Sequence, residues 1–155
     1  MIRNPRHLTF LATAVLTITG CGGPSDGLAH QAVSGEVTLD GQPLESGSIV
    51  FVPIESEGTP TGGEIIDGSY AIPAKDGPTP ATHAVSIYAK KPTGRKLPDP
   101  NNADEVIEEK YEIIPPKYNV KTDLKAEVKE GGENRFDFKL TDAIKAPPSE
   151  SRTKP

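Results

Sequence analysis

The sequence predicts an all-β fold: a sandwich of about seven short strands, broken by a long irregular excursion and flanked by disordered ends. Three observations carry this. Apolar residues recur at period two in short runs, as in Val33, Val37 and Leu39, and again in Phe136, Phe138 and Leu140. Asp-Gly pairs at 40–41 and 67–68 separate such runs, and type I′ hairpin turns need the positive φ that Asp and Gly tolerate. Gly and Pro number 15 and 16 of 155 residues, which favours turns over helices.

Each element has its own signal. Val33, Gly35, Val37 and Leu39 alternate with Ser34, Glu36 and Thr38, a half-buried strand that ends at Asp40-Gly41 and Pro43. Ser48 to Ile54 is continuously apolar in its middle, as in a strand covered on both faces, with Pro53 at its end or on an edge. Residues 63–66 and 69–74 flank Asp67-Gly68 as a second hairpin, with Tyr70 expected in the core. Residues 75–82 form a Gly- and Pro-bearing connection. In 83–90, Val85, Ile87 and Ala89 share one face, while Ala84, Ser86 and Tyr88 share the other.

Residues 91–112 hold Pro92, Gly94, Pro98, Pro100 and the acidic run Asp104 to Glu109, and are expected to be irregular, with at most one short helical turn. Residues 113–118 are extended because residues before proline avoid the α region. Leu124, Ala126 and Val128 alternate with charged residues, Glu130 to Asn134 turns the chain, and Phe136, Phe138 and Leu140 form the last strand. Residues 142–155, rich in proline and charge, are a disordered tail.

The N-terminus has a different character. Arg3, Arg6 and His7 precede an apolar run, Leu8 to Ile18, that is too short to span a bilayer and ends in small residues. It leads into Leu16-Thr-Ile-Thr-Gly20-Cys21, where Cys21 is the only cysteine. This resembles a bacterial lipobox: an aliphatic residue at −3, small residues before the scissile bond, and a thiol to take a diacylglyceryl group. The resemblance implies a signal peptide over 1–20, cleavage between Gly20 and Cys21, diacylglyceryl and N-acyl groups on Cys21, and a flexible tether over 21–31. Two or three acyl chains make such anchoring stable. The partner implied is the membrane, through lipid on Cys21, and the location is the exported face of a bacterial membrane. Gly22 after the cysteine resembles the signal for outer-membrane delivery, so outer membrane or cell envelope is expected ahead of inner membrane.

Removing residues 1–20, which carry Arg3 and Arg6 and no acid, takes the net charge from −5 to −7. That balance argues against nucleic acid as a partner. With Cys21 lipidated no internal disulfide is left, and the domain over 32–141 has to rest on its apolar core.

The run Val33 to Leu44 with its Asp-Gly-Gln-Pro-Leu, the strand Gly47 to Pro53, the segment Gly62 to Ile72 with Asp-Gly before Tyr70, and the closing Leu124–Val128 and Asn134–Leu140 resemble carboxypeptidase regulatory-like, or transthyretin-like (prealbumin-like), domains of small planctomycete-type lipoproteins. The resemblance covers about residues 32–141. It implies a Greek-key β-sandwich at the cell envelope. The shared residues are turn formers and core, so it assigns no activity.

Catalysis is not expected. Hydroxyisourate hydrolases of this fold rely on a His/Arg/Ser cluster and a C-terminal Tyr-Arg-Gly-Ser, whereas this chain ends Ser-Arg-Thr-Lys-Pro. His30 falls in the tether and His83 at a strand start, where a surface or capping role is expected. No cofactor and no metal site are expected. Asp99, Asn101, Asn102, Asp104, Glu105, Glu108 and Glu109 are hard ligands, but their spacing is not that of an EF-hand. Tyr111 and Tyr118 flank the double proline at 115–116 and are the candidate exposed surface for a glycan or peptide. The role expected is structural or protein-interacting at the envelope. A glycan- or peptide-binding module is the alternative, and a metal-binding or hydrolytic protein a distant one. An interaction module should expose a contiguous apolar or aromatic patch within about residues 91–118.

Overall fold

The computed structural model describes residues 29–54 and 58–147. The signal segment, Gly20, Cys21, most of the tether and residues 148–155 lie outside the described residues. Ten strands are present among those described: β1 Val33–Leu39, β2 Gln42–Pro43, β3 Ser46–Pro53, β4 Thr61–Ile66, β5 Ser69–Ile72, β6 Ala81–Tyr88, β7 Lys90–Asp99, β8 Asn102–Glu112, β9 Lys125–Val128 and β10 Phe138–Leu140. Two 3-10 turns, Ala74–Asp76 and Pro116–Tyr118, are the helical elements.

The main sheet runs β10-β1-β5-β4-β3-β6-β9, with β2 paired to β1, and β7 and β8 form a separate two-stranded sheet. All pairs are antiparallel except β1–β10, which is parallel. The sheet is curled, with β1 inside it. One edge of β1 pairs with β5, from Val33↔Ile72 to Glu36↔Ser69, and then with β2, whereas its other edge meets the closing segment along its length, from Ser34↔Arg135 to Leu39↔Leu140.

Both Asp-Gly pairs form two-residue hairpin turns with positive φ at each position: 51° and 80° at Asp40-Gly41, 49° and 79° at Asp67-Gly68. These are type I′ values, whose twist matches the flanking strands. The curl closes over Phe51, Ile49, Ile65, Ile87, Val85, Val37 and Leu140, all essentially without solvent contact. Fully burying one such side chain contributes about 1.5–3 kcal/mol. Phe51 is the hub, with ring centroids 6.2 Å from Tyr70, 6.3 Å from His83 and 6.4 Å from Phe136.

Five expectations need correction. Strand β3 is covered on one face only: Ile49 and Phe51 are buried, but Val52 is 37% exposed, so its apolar middle hides an ordinary alternation. His83 is no surface residue. It is 1% exposed, its Nδ1 lies 3.0 Å from the Ala81 carbonyl, and desolvation lowers its pKa. Its position on β6 puts it on the same face as Val85 and Ile87, which face the core.

The excursion over 91–112 is a regular β-hairpin, β7–β8. Its prolines are compatible with a ladder because of where they fall. Ile113 N–H donates to the Ala89 carbonyl, so alternate pairs on from there are the non-hydrogen-bonded ones, and Pro92↔Lys110 is one of them. Pro98↔Val106 is of the same kind, since proline has no N–H to give. Gly94, at φ 78°, sits in the bulge between Pro92 and Lys96.

The tail is ordered for its first residues. Asp142 N–H and Ala143 N–H donate to the two Asp40 carboxylate oxygens, at 2.8 and 3.2 Å, and Ile144 N–H donates to the Ile113 carbonyl. The last tether residues also join the body: Gln31 N–H donates to the Pro78 carbonyl, and its side-chain oxygen accepts from Gly131 N–H.

Candidate functional site

The β7–β8 ribbon is the element that leaves the body. Along its length it pairs only with itself among the described residues, and nearly all of β7 is exposed. Such a two-stranded ribbon is marginal in water without help. Help comes from a clamp at its bulge. The Glu109 carboxylate accepts from Arg95 Nε at 2.7 Å, from Arg95 Nη2 at 3.1 Å and from the Thr93 hydroxyl at 2.7 Å. The Thr93 hydroxyl and the Arg95 guanidinium hold the Glu109 pKa below the usual carboxylate range. Charge is split between the strands: β7 carries Lys90, Lys91, Arg95 and Lys96, whereas β8 carries Asp104, Glu105, Glu108, Glu109 and Glu112 against Lys110. Cross-strand pairing sets Lys96 opposite Glu108.

Beyond the clamp the ribbon carries two apolar cross-strand pairs. Leu97 opposes Ile107 on one face and Pro98 opposes Val106 on the other. Leu97 is 41% exposed, Ile107 42% and Val106 63%. Pro98 beside Leu97, and the acidic run around Val106 and Ile107, conceal the strand period in the sequence.

Tyr111 lies on the face of β8 that also carries Ile107, opposite Lys91 at the ribbon's root. It is half-buried against the core and lines a groove with Leu39, Asp40, Ile113 and Ile144. Tyr118 is also half-buried, and its hydroxyl is occupied by Thr141, which it meets at 3.3 Å through both the side chain and the backbone N–H. Lys117 Nζ stands 4.9 Å over its ring and bonds Asp142 at 2.7 Å. Tyr118 thus fastens the strap 141–147 and presents no open stacking face. A larger groove of about 850 Å³ adjoins the root, between Leu44, Pro43, Ile113 and the Glu45–Lys91 ion pair.

The hard-ligand residues between 99 and 109 do not converge. Asp99 accepts from Asn101 N–H, Asn102 accepts from Asp104 N–H, and Glu109 is held by Arg95. Among the described residues no three His, Cys, Asp or Glu side chains come together in a way that could hold a metal ion, and no helix is long and apolar enough to cross a membrane.

Position within the sheet separates the chain's two ends of interest. The tether joins at the start of β1, beside Ile72, Gly77 and Pro78. The ribbon departs after β6, beside Ser46 and Gly47, at the end where β1 finishes in Asp40-Gly41. A seven-residue strand puts about 20 Å between those ends. Comparison with protein-family models, with curated proteins and with solved structures returned no match.

Proposed function

We propose that this chain is a lipid-anchored cell-envelope protein, fixed to the membrane through Cys21, whose non-catalytic β-sandwich holds the β7–β8 ribbon out for a protein partner. The carrying observation is the exposed set Leu97, Val106 and Ile107 on a clamped ribbon, at the end of the sheet opposite the tether. Ile66 and Val120 on the body are exposed as well, but on the ribbon the apolar side chains fall on two neighbouring cross-strand pairs, which favours a contact surface. His30 and Gln31 join the body at Gly77 and Pro78, so few residues separate it from Cys21, and an anchored body would sit close to the lipid with its ribbon directed away.

The transthyretin-like, carboxypeptidase regulatory-like assignment is part of the same reading. Its support is the seven-strand path of the main sheet, the two Asp-Gly hairpins and Tyr70 in the core. Labelling cells with a radioactive fatty acid tests the anchor: label on the native chain and none on Cys21→Ala is expected, and equal label on both contradicts it. Photo-cross-linking from position 107 in intact cells tests the ribbon. A protein partner is expected there, and its absence contradicts the interaction role.

A further inference from the structure

We propose that the outer edge of β8 takes up an extended, lysine- or arginine-bearing segment of a partner protein as a third strand of the ribbon. This deepens the interaction reading above and rests on it. The two edges of the ribbon differ. On β7 the outward-facing positions include Pro92 and Pro98, which have no N–H to donate, and the bulge at Gly94 breaks the line between them. On β8 the outward-facing positions are Val106, Glu108, Lys110 and Glu112, the members of the non-hydrogen-bonded pairs, and no proline interrupts Asn102–Glu112. The β8 edge therefore offers a continuous row of donors and acceptors, the requirement for strand addition.

Charge selects the occupant. An added strand would lie beside Asp104, Glu105, Glu108 and Glu112, with Lys110 as the single base among them, so Lys or Arg side chains fit and acidic ones are repelled. A second copy offering its own β8 would set acid against acid. Val106 and Ile107 point to opposite faces of the ribbon, so the apolar face of an alternating strand would cover one of them whichever way it lies.

The test uses the whole chain as isolated from cells and three labelled peptides: one alternating Lys with Val, one alternating Glu with Val, and a Lys/Val peptide N-methylated at alternate residues. Binding is read by fluorescence anisotropy and by amide hydrogen exchange. The Lys/Val peptide should bind at least tenfold more tightly than either of the others and should slow exchange at Val106, Glu108 and Lys110. Glu108→Pro removes an outward N–H without touching a ladder bond and should weaken binding at least tenfold. Lys96→Pro places the same change on the β7 edge and should leave binding unaltered, which controls for damage to the ribbon. Equal binding of the three peptides, or equal effects of the two proline variants, overturns the proposal. Cross-linking from position 107 in cells separates the two levels. A partner that persists in Glu108→Pro overturns edge addition and leaves the interaction reading standing, whereas no partner in the native chain overturns both.

Discussion

The Tyr70 hydroxyl donates to the Phe136 carbonyl at 2.8 Å, directly beside Gly35. A Cβ on Gly35 would lie 1.9 Å from that same carbonyl oxygen, so the chain at Phe136 can approach β1 only because Gly35 has none. The contact ties β5 to the closing segment across β1, which lies between them. Gly35→Ala is expected to cost about 3 kcal/mol or more, the range of severe overpacking, and to appear as a large fall in the denaturation midpoint. Tyr70→Phe removes the hydrogen bond alone and is expected to cost about 1–2 kcal/mol in urea unfolding.

Tyr70 also sets an alkaline limit. Burial, with Asp137 nearby, raises its pKa well above the usual tyrosine value. An unfolded tyrosine ionises near pH 10 while the folded one keeps its proton, so stability falls as pH rises past about 10. Tyr70→Phe should flatten that part of the pH–stability curve.

His83 sets the acid limit by the same linkage. Desolvation lowers its pKa in the folded state, so below about pH 6.5 the unfolded chain takes a proton that the folded chain refuses. Stability should therefore fall as pH drops from about 6.5 toward the depressed folded pKa. His83→Leu should remove that component, measured as the change in thermal midpoint between pH 7 and pH 5.

The Glu109 clamp governs the ribbon and not the body. Glu109→Gln keeps the shape but loses the charge that Arg95 grips at 2.7 Å. Amide exchange across residues 93–109 should speed up several-fold, while the thermal midpoint of the body stays where it was. An unchanged exchange pattern would contradict the clamp.

Asp40 does two things at once. Its backbone holds φ 51° in the turn, and its carboxylate accepts from Asp142 and Ala143. Asp40→Asn keeps a residue that tolerates that φ but loses one acceptor oxygen, so the strap should become open to proteolysis between 142 and 147 while the hairpin survives. Asp40→Ala should lose the strap and also strain the turn.

The sequence reveals the strands whose signals are local. Val33 and Val37, Ala126 and Val128, and Phe138 and Leu140 alternate into the core as their spacing implies, and Asp40-Gly41 and Asp67-Gly68 turn as their chemistry requires. What it conceals depends on position in the fold. Pro92 and Pro98 signal irregular chain, yet each occupies a pairing position where no N–H is needed, which only the register with β8 reveals. His83 has a polar side chain, but its parity on β6 turns it inward against Phe51. Asp142 and Ala143 open a stretch with the composition of a free tail, yet Asp40 holds both from about a hundred positions away. The exposed trio Leu97, Val106 and Ile107 was hidden for the same reason as the ribbon itself.

The most direct test of this account is photo-cross-linking in intact cells from two positions of the same chain: Ile107 on the ribbon, and Lys75 at the end where the tether joins. A protein partner captured from position 107 and not from 75, and lost in Cys21→Ala, is the predicted result. The same captures from both positions, or a capture at 107 that is indifferent to Cys21, would contradict an anchored body that presents its ribbon to a partner.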